Sequence, residues 1–459
     1  MEELMIDNNT TSYKNILKVG VPLIIQMSGV MVMQLIDALF LSWYSAEAVA
    51  AAITAGLASW LIICLFNGTA GFTSTLVAQH IGARQEHKIP AIILNGLYFS
   101  VLASIFIGAV TLFSDKFFAW AGHAPVVQSY ETVFFNISCN GAFFNIAGAA
   151  ISGFFSGRGR TTVLMVMQAV SVAVNIVLDY VLIFGNCGFP EMGVTGAALA
   201  TVIAQACGFV VLVAVFARPE NHILKSLRGQ WMPDMQLFKK LMKYGFPSGV
   251  RVFIDMLAWT AFPFFIGRIG TLELAASNIA FRINSIVFFP VIGLSIAISI
   301  LVGQAQGAKR PDLSVATWKK GLVLCEAFTA LLALFYILFP YQLYSLFHNS
   351  STMSESEFSA MASCGAVMLR CVAIYCLFDT MNIITLGLLQ GAGDTKWTMI
   401  ASVLFYAIFI TILFLIDHYH GSVKAIWTAA TIFIVSQSFL WLTRFFSGGW
   451  KKIEMVKEN

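Results

Sequence analysis

Twelve apolar segments follow one another along this chain, near 16–41, 49–76, 90–114, 128–152, 161–184, 195–217, 244–267, 275–302, 321–340, 361–388, 396–416 and 423–443. Each approaches or exceeds the roughly 20 residues a helix needs to cross hydrocarbon. A backbone in hydrocarbon finds no water to bond, so each segment must close its own hydrogen bonds as a helix. The expected fold is therefore an all-α membrane protein with twelve transmembrane helices. Composition agrees: charged residues are 11% and apolar residues 58%, where a soluble domain carries about 25% charged. A soluble enzyme is excluded, and a net charge of +4 is too slight to argue for a nucleic-acid partner.

Basic residues set the expected orientation. Twelve spans put both termini on one side, and that side receives 21 of the 27 Lys and Arg. The other side receives Lys116, Arg268 and Lys424, while Arg251, Arg282 and Arg370 fall within spans. Under the positive-inside rule this bias places both termini in the cytoplasm of a multi-pass protein of the cell inner (plasma) membrane. The N-terminus is polar and mildly acidic (Glu2, Glu3, Asp7), so no cleaved signal is expected. Eight cysteines lie mostly in apolar stretches without CxxC spacing. They read as small buried hydrophobes, with no metal site or disulfide expected.

The chain repeats itself. Lys18-Val-Gly20-Val-Pro22 returns as Lys243-Tyr-Gly245-Phe-Pro247, shifted by 225. At the same shift Ala50-Ala51 meets Ala275-Ala276, and Val77-Ala-Gln79-His-Ile-Gly82-Ala83 meets Val302-Gly-Gln304-Ala-Gln-Gly307-Ala308. Gly157-Arg-Gly159-Arg-Thr161 then matches Gly391-Ala-Gly393-Asp-Thr395. Six helices are duplicated in parallel orientation, giving two pseudo-symmetric six-helix bundles: an N-terminal lobe at 1–217, a basic linker at 218–243 and a C-terminal lobe at 244–459. Such repeats place a substrate path at their interface and move by rocking.

Acidic residues within spans are few: Asp37, Glu131, Asp179, Asp255, Glu326 and Asp379. Each costs roughly 2.5–3.5 kcal/mol at the bilayer centre unless paired or hydrated. Glu131 reads more blandly, as a helix-end residue reaching the interface, and for Glu326 both readings stand. Asn175 and Asp179 are four apart, on one helix face, with Gln168 on the same stripe. Asp37 has Gln34 three residues earlier, and Thr201 and Gln205 form a second i,i+4 polar pair. Gln34, Gln168 and Gln205 are candidate residues of a substrate cavity. Carboxylate, amide and hydroxyl oxygens together suit a hard cation such as Na⁺, so a metal ion is conceivable at Asp37, Asn175 and Asp179. The same two acids can instead share a proton, and a purely structural interhelical network is the third option. In the second half Asp255 and Asp379 form a possible second cation or proton site, with Asn382 one turn from Asp379. Arg251, one turn from Asp255, offers the plain alternative of an ion pair.

Other signals are weaker. The Gly157–Gly159 and Gly391–Gly393 segments lack the Lys-Ser/Thr of a phosphate-binding loop and read as tight turns. Pro22, Pro247 and Pro290 are expected to bend helices. Met and aromatic residues can line a forgiving cavity for apolar cations.

With these residues placed, the chain resembles the multidrug and toxic compound extrusion (MATE) family over nearly its whole length. The resemblance rests on the Gly-x-Pro start of each half, the Gln79/Gly82-Ala83 and Gln304/Gly307-Ala308 span ends, the Gly-x-Gly-x-Thr segments, and Gly193-Val-Thr-Gly196-Ala-Ala. It implies a twelve-helix antiporter expelling amphipathic, often cationic, drugs in exchange for Na⁺ or H⁺, with no other cofactor and no enzymatic activity. It implies an N-lobe cation site at Asp37, Asn175 and Asp179, with Thr201 matching the family's threonine ligand. Asp255 falls where the NorM-like branch has a glutamate and Asp379 where it has an aspartate, whereas Asn175-x-x-x-Asp179 is similar to the DinF-like branch. The features are mixed, and which lobe couples stays open. Partners implied are drugs and membrane lipid, for a monomer able to work alone. The leading alternative is a lipid-linked oligosaccharide flippase of the same superfamily, for which only Arg251, Arg282 and Arg370 could supply a cationic cavity. An intramembrane enzyme is disfavoured, because no Ser/His, His-x-x-x-His or paired metal-ligand motif falls within a span.

Overall fold

The computed structural model describes residues 11–221, 232–347 and 354–456. Among them, twelve helices are long and apolar enough to cross a membrane. They are α1 (Tyr13–Tyr44), α2 (Ala46–Gly82), α3 (Glu86–Ala121), α4 (Pro125–Gly157), α5 (Thr162–Phe184) and α6 (Gly193–Phe216) in the first bundle. The second bundle holds α7 (Met235–Gly267), α8 (Thr271–Gly307), α9 (Pro311–Leu338), α10 (Glu355–Ala392), α11 (Thr395–His418) and α12 (Val423–Ser447). No strand occurs among the described residues. Within the expected linker, Lys225 and Arg228 lie outside the described residues, and Met235–Gly245 is already helical and opens α7.

Several helices outrun their apolar windows, because hydropathy reports the lipid-length part while capping residues set the true ends. Ser45 stops α1 and opens α2, its hydroxyl accepting the Ala48 amide at 3.0 Å. The tenth helix starts at Glu355 instead of near 361, because Ser354 and Glu357 form a reciprocal capping box. Pro311 opens α9 ten residues earlier than its apolar run. Pro22 and Pro290 do sit inside α1 and α8, and Pro263 inside α7. Pro247 instead follows a single π turn at Leu241–Gly245, a local widening of the helix.

The two bundles meet through α1 against α8 and α2 against α7, with the ends of α2 and α8 crossing between them. Absent side chains make that crossing possible. A Cβ on Gly293 of α8 would lie 2.7 Å from the Ile24 backbone of α1. At the repeat shift of 225 the matching contact is Gly68 of α2, whose Cβ would lie 3.0 Å from the Gly249 Cα of α7. Between apolar helices in lipid, such close backbone approach supplies the dispersion contact that a hydrophobic drive cannot. Further along the seam, Tyr13 of α1 lies under the Lys320 ammonium of α9, and the Ser285 hydroxyl of α8 sits 3.6 Å from the Met31 sulfur of α1.

Gly293→Ala is expected to destabilise the protein by about 1–3 kcal/mol, as overpacking does. Gly148→Ala meets nothing within 4 Å and should be neutral or stabilising by up to about 1 kcal/mol through helix propensity. Thermal unfolding of both variants in detergent tests the contrast, and equal midpoints would refute it.

Candidate functional site

Three helices of the first bundle bring four of the expected residues together. Asp37 projects from α1, Asn175 and Asp179 from α5, and Thr201 from α6. The Thr201 hydroxyl donates to Asp37 Oδ2 at 3.4 Å and also to the Ala197 carbonyl at 3.1 Å. Asp179 and Asn175 lie beside the Asp37 carboxylate. Asn175 and Asp179 are fully buried. Asp37 Oδ1, both oxygens of Asp179 and both side-chain polar atoms of Asn175 have no hydrogen-bond partner. Ionised carboxylates only accept hydrogen bonds. Two of them held side by side repel each other, and a proton or a cation between them would relieve that repulsion. The available donors, two carboxylates, an amide oxygen and a hydroxyl, are the hard oxygens that an alkali cation takes. No group of three or more His, Cys, Asp or Glu able to hold a metal occurs among the described residues.

The glutamines are placed less centrally. Gln168 is buried lower on the α1–α5 seam, where its Cγ fills the space above Gly29. Gln205 is half-buried and Gln34 exposed. No hydrogen bond among the described residues joins any of the three to the four-residue cluster.

The second bundle treats its acids differently. Asp255 on α7 accepts a hydrogen bond from the Tyr406 hydroxyl of α11, whereas the Nε of Arg251 has no partner. Asp255 thus takes its hydrogen bond from a phenol on a neighbouring helix, with the Arg251 charge acting on it as well. Asp379 on α10 takes the Asn382 amide at 3.4 Å, and Asn382 also donates to Gln437 Oε1 of α12 at 2.8 Å. Here each carboxylate has a donor. Glu131, in the first turns of α4, is fully buried. Its Oε1 accepts from the Thr54 hydroxyl and lies 2.8 Å from His123 Nδ1, while its Oε2 has no partner. Glu326 is half-buried on α9.

Comparison with known proteins then places the chain. The MatE family model matches it twice, over residues 22–181 and 247–415. The chain belongs to the MatE family. The two matches fall one on each bundle, in step with the internal repeat. A relative named "Probable multidrug resistance protein NorM" in Rhizobium meliloti (strain 1021) is 27% identical over 403 residues, 86% of this chain and 84% of the relative. A protein of the same name from Thermotoga maritima is 24% identical over 443 residues, 96% and 93% of the two chains. Among solved structures, a MATE family transporter of the MOP superfamily described in an outward-facing conformation superposes with a TM-score of 0.85 at 20% identity, covering 96% of each chain. A MOP superfamily transporter from Pyrococcus furiosus, described as having a binding pocket of reverse polarity, gives 0.84 at 21% identity over 95% of this chain and 96% of that one.

Within this MatE chain, Tyr406 and Gln437 escaped the sequence reading. Gln437 was findable, since an amide inside an apolar span raises the same question as Gln168. Tyr406 was not, because one tyrosine among twelve in the chain announces nothing until α11 packs on α7. Asn382→Leu is expected to cost about 1–3 kcal/mol, because it strips a donor from both Asp379 and Gln437. A thermal midpoint unchanged in detergent would show that neither bond contributes.

Proposed function

We propose that this protein is a multidrug efflux antiporter that exports amphipathic, cationic small molecules in exchange for Na⁺ or H⁺ by alternating access. The observation that supports the exchange is the pairing of Asp37 with Asp179, three of whose four carboxylate oxygens lack a donor in the described residues. Either coupling ion would supply what that pair lacks: Na⁺ by direct coordination, H⁺ by a carboxyl donor between the two. The relatives named as multidrug resistance proteins support the substrate class. In this reading the lobes are 1–217 and 244–459, and the face carrying both termini and most of the Lys and Arg is cytoplasmic, in the plasma membrane. The chain acts as a monomer in contact with lipid, without enzymatic chemistry and without a further cofactor. Asp255 and Asp379 form a second, already hydrogen-bonded polar centre.

The cycle follows from linkage. Substrate enters between the lobes from the cytoplasm or inner leaflet. Ion binding at Asp37, Asn175, Asp179 and Thr201 from outside then weakens substrate binding, and substrate weakens ion binding by the same factor. A ligand with equal affinity for both orientations would move nothing, so the ion must prefer one of them.

Proteoliposomes loaded with a fluorescent cation, under separately imposed Na⁺ and proton gradients, give the test. Asp37→Asn and Asp179→Asn are each expected to reduce ion-driven efflux to the level of protein-free vesicles while membrane insertion stays normal. Thr201→Ala, which removes one neutral ligand, should raise the half-saturating ion concentration several-fold with lesser loss of maximal rate. Normal efflux in both aspartate variants would remove the assignment.

A further inference from the structure

The span ends that carry the repeat motif meet each other. Gln79, near the end of α2, donates from Nε2 to the Gly391 carbonyl at the end of α10, at 2.9 Å. Gln304, near the end of α8, donates from Nε2 to the Gly157 carbonyl at the end of α4, also at 2.9 Å. Each bond runs from one lobe to the other, and the two are repeat equivalents. Both glutamines are buried, 2% and 5% exposed. Gly157 and Gly391 lie in the last turns of their helices, where no further helical N–H remains to take the carbonyl. Each glutamine therefore satisfies, across the seam, an acceptor that its own helix leaves open.

Between the two bonds the backbones touch. A Cβ on Gly82 would fall 2.0 Å from the Gln304 carbonyl oxygen, and a Cβ on Gly307 would fall 2.0 Å from the Gln79 carbonyl oxygen. Next to them a Cβ on Gly303 would stand 3.0 Å from the Ala78 Cβ. After each crossing the chain turns by the same means, with Arg84 at φ 57 and Lys309 at φ 56, and these exposed residues close the face below.

We propose that Gln79 and Gln304 are the paired positioning residues that hold the substrate path shut on the cytoplasmic side. The proposal rests on the alternating-access reading above. Because the bonds are related by the pseudo-twofold axis along the membrane normal and lie at the same end of the seam, any tilt that opens this face lengthens both together. Water can replace each glutamine on the freed carbonyl, since the site lies at the membrane surface and a wet acceptor is nearly as well satisfied as a bonded one. The seal is thus strong in geometry and cheap to exchange. That combination suits a gate that must open in every cycle, and not a permanent structural contact.

The test reads lobe separation directly. Spin labels on Glu86→Cys and Asp312→Cys, both exposed, are placed on opposite lobes in a background with the eight native cysteines replaced. The parent is expected to show mainly one short distance. Gln79→Ala, Gln304→Ala and the double variant should shift population to a longer distance by at least several-fold, the double variant most. Should the alanine variants not fold, Ala78→Cys with Gly303→Cys supplies a second measurement: oxidation should bridge the lobes and stop transport, and reductant should restore it. An unchanged distance distribution in folded glutamine variants, or undiminished transport with the bridge formed, would overturn the gate. The distance is measured without any ion or drug gradient. A shift in a chain that exchanges nothing would therefore sink the antiport reading alone, while exchange with no shift would sink the gate alone.

Discussion

The contact of naked backbone with naked backbone at the lobe seam is what everything else leans on. In lipid, apolar side chains gain nothing by leaving hydrocarbon for one another, so two bundles stay together only through close packing and a few hydrogen bonds. Gly68, Gly82, Gly293 and Gly307 let helices of opposite lobes approach until peptide groups touch. With the seam fixed in that way, side chains elsewhere in each bundle are free to be polar. The four-residue cluster of the first bundle sits off the seam on α1, α5 and α6. Yet α1 is also the helix whose Ile24 rests on Gly293, so a change at Asp37 has a rigid element to act through.

The two halves are not equal, and their differences concentrate in α5 and α7. In the first bundle the Thr161 hydroxyl donates to the Val19 carbonyl at 2.9 Å, tying the start of α5 to α1. The repeat equivalent, Thr395, is buried with its hydroxyl unpartnered. Val19 corresponds to Tyr244, which lies inside the π turn of α7. A wider turn moves the carbonyls out of register, which accounts for the lost bond. The acids diverge in the same direction: Asp255 and Asp379 have acquired donors in Tyr406 and Asn382, whereas Asp37 and Asp179 face each other with few. A carboxylate that already holds a donor would gain less from an arriving cation than one that does not.

Much of this was legible in the sequence because the bilayer enforces it. Helix length and the isolation of Asp37, Asn175 and Asp179 among apolar neighbours follow from the cost of polar groups in hydrocarbon, and the repeat shows in matched motifs such as Lys18–Pro22 and Lys243–Pro247. Helix ends were less legible: α9 and α10 extend beyond their apolar runs, because proline and a serine–glutamate box set them. Least legible were partnerships between distant helices. Nothing in the sequence says that Thr54 and His123 close on Glu131. Gln79 and Gln304 stood out only as matching letters, and nothing in one dimension says that each reaches the other half.

The crossed glutamines also bear on how such a chain arose. If the two halves descend from one six-helix protein that paired with itself, the contact was then isologous, with the same glutamine bonding the same carbonyl twice about a twofold axis. In that ancestor a single substitution would have released both bonds at once. Fusion into one polypeptide uncouples them, so Gln79 and Gln304 can now drift separately, and the two cross-lobe bonds can be weakened one at a time, a half-step that a homodimer could never take.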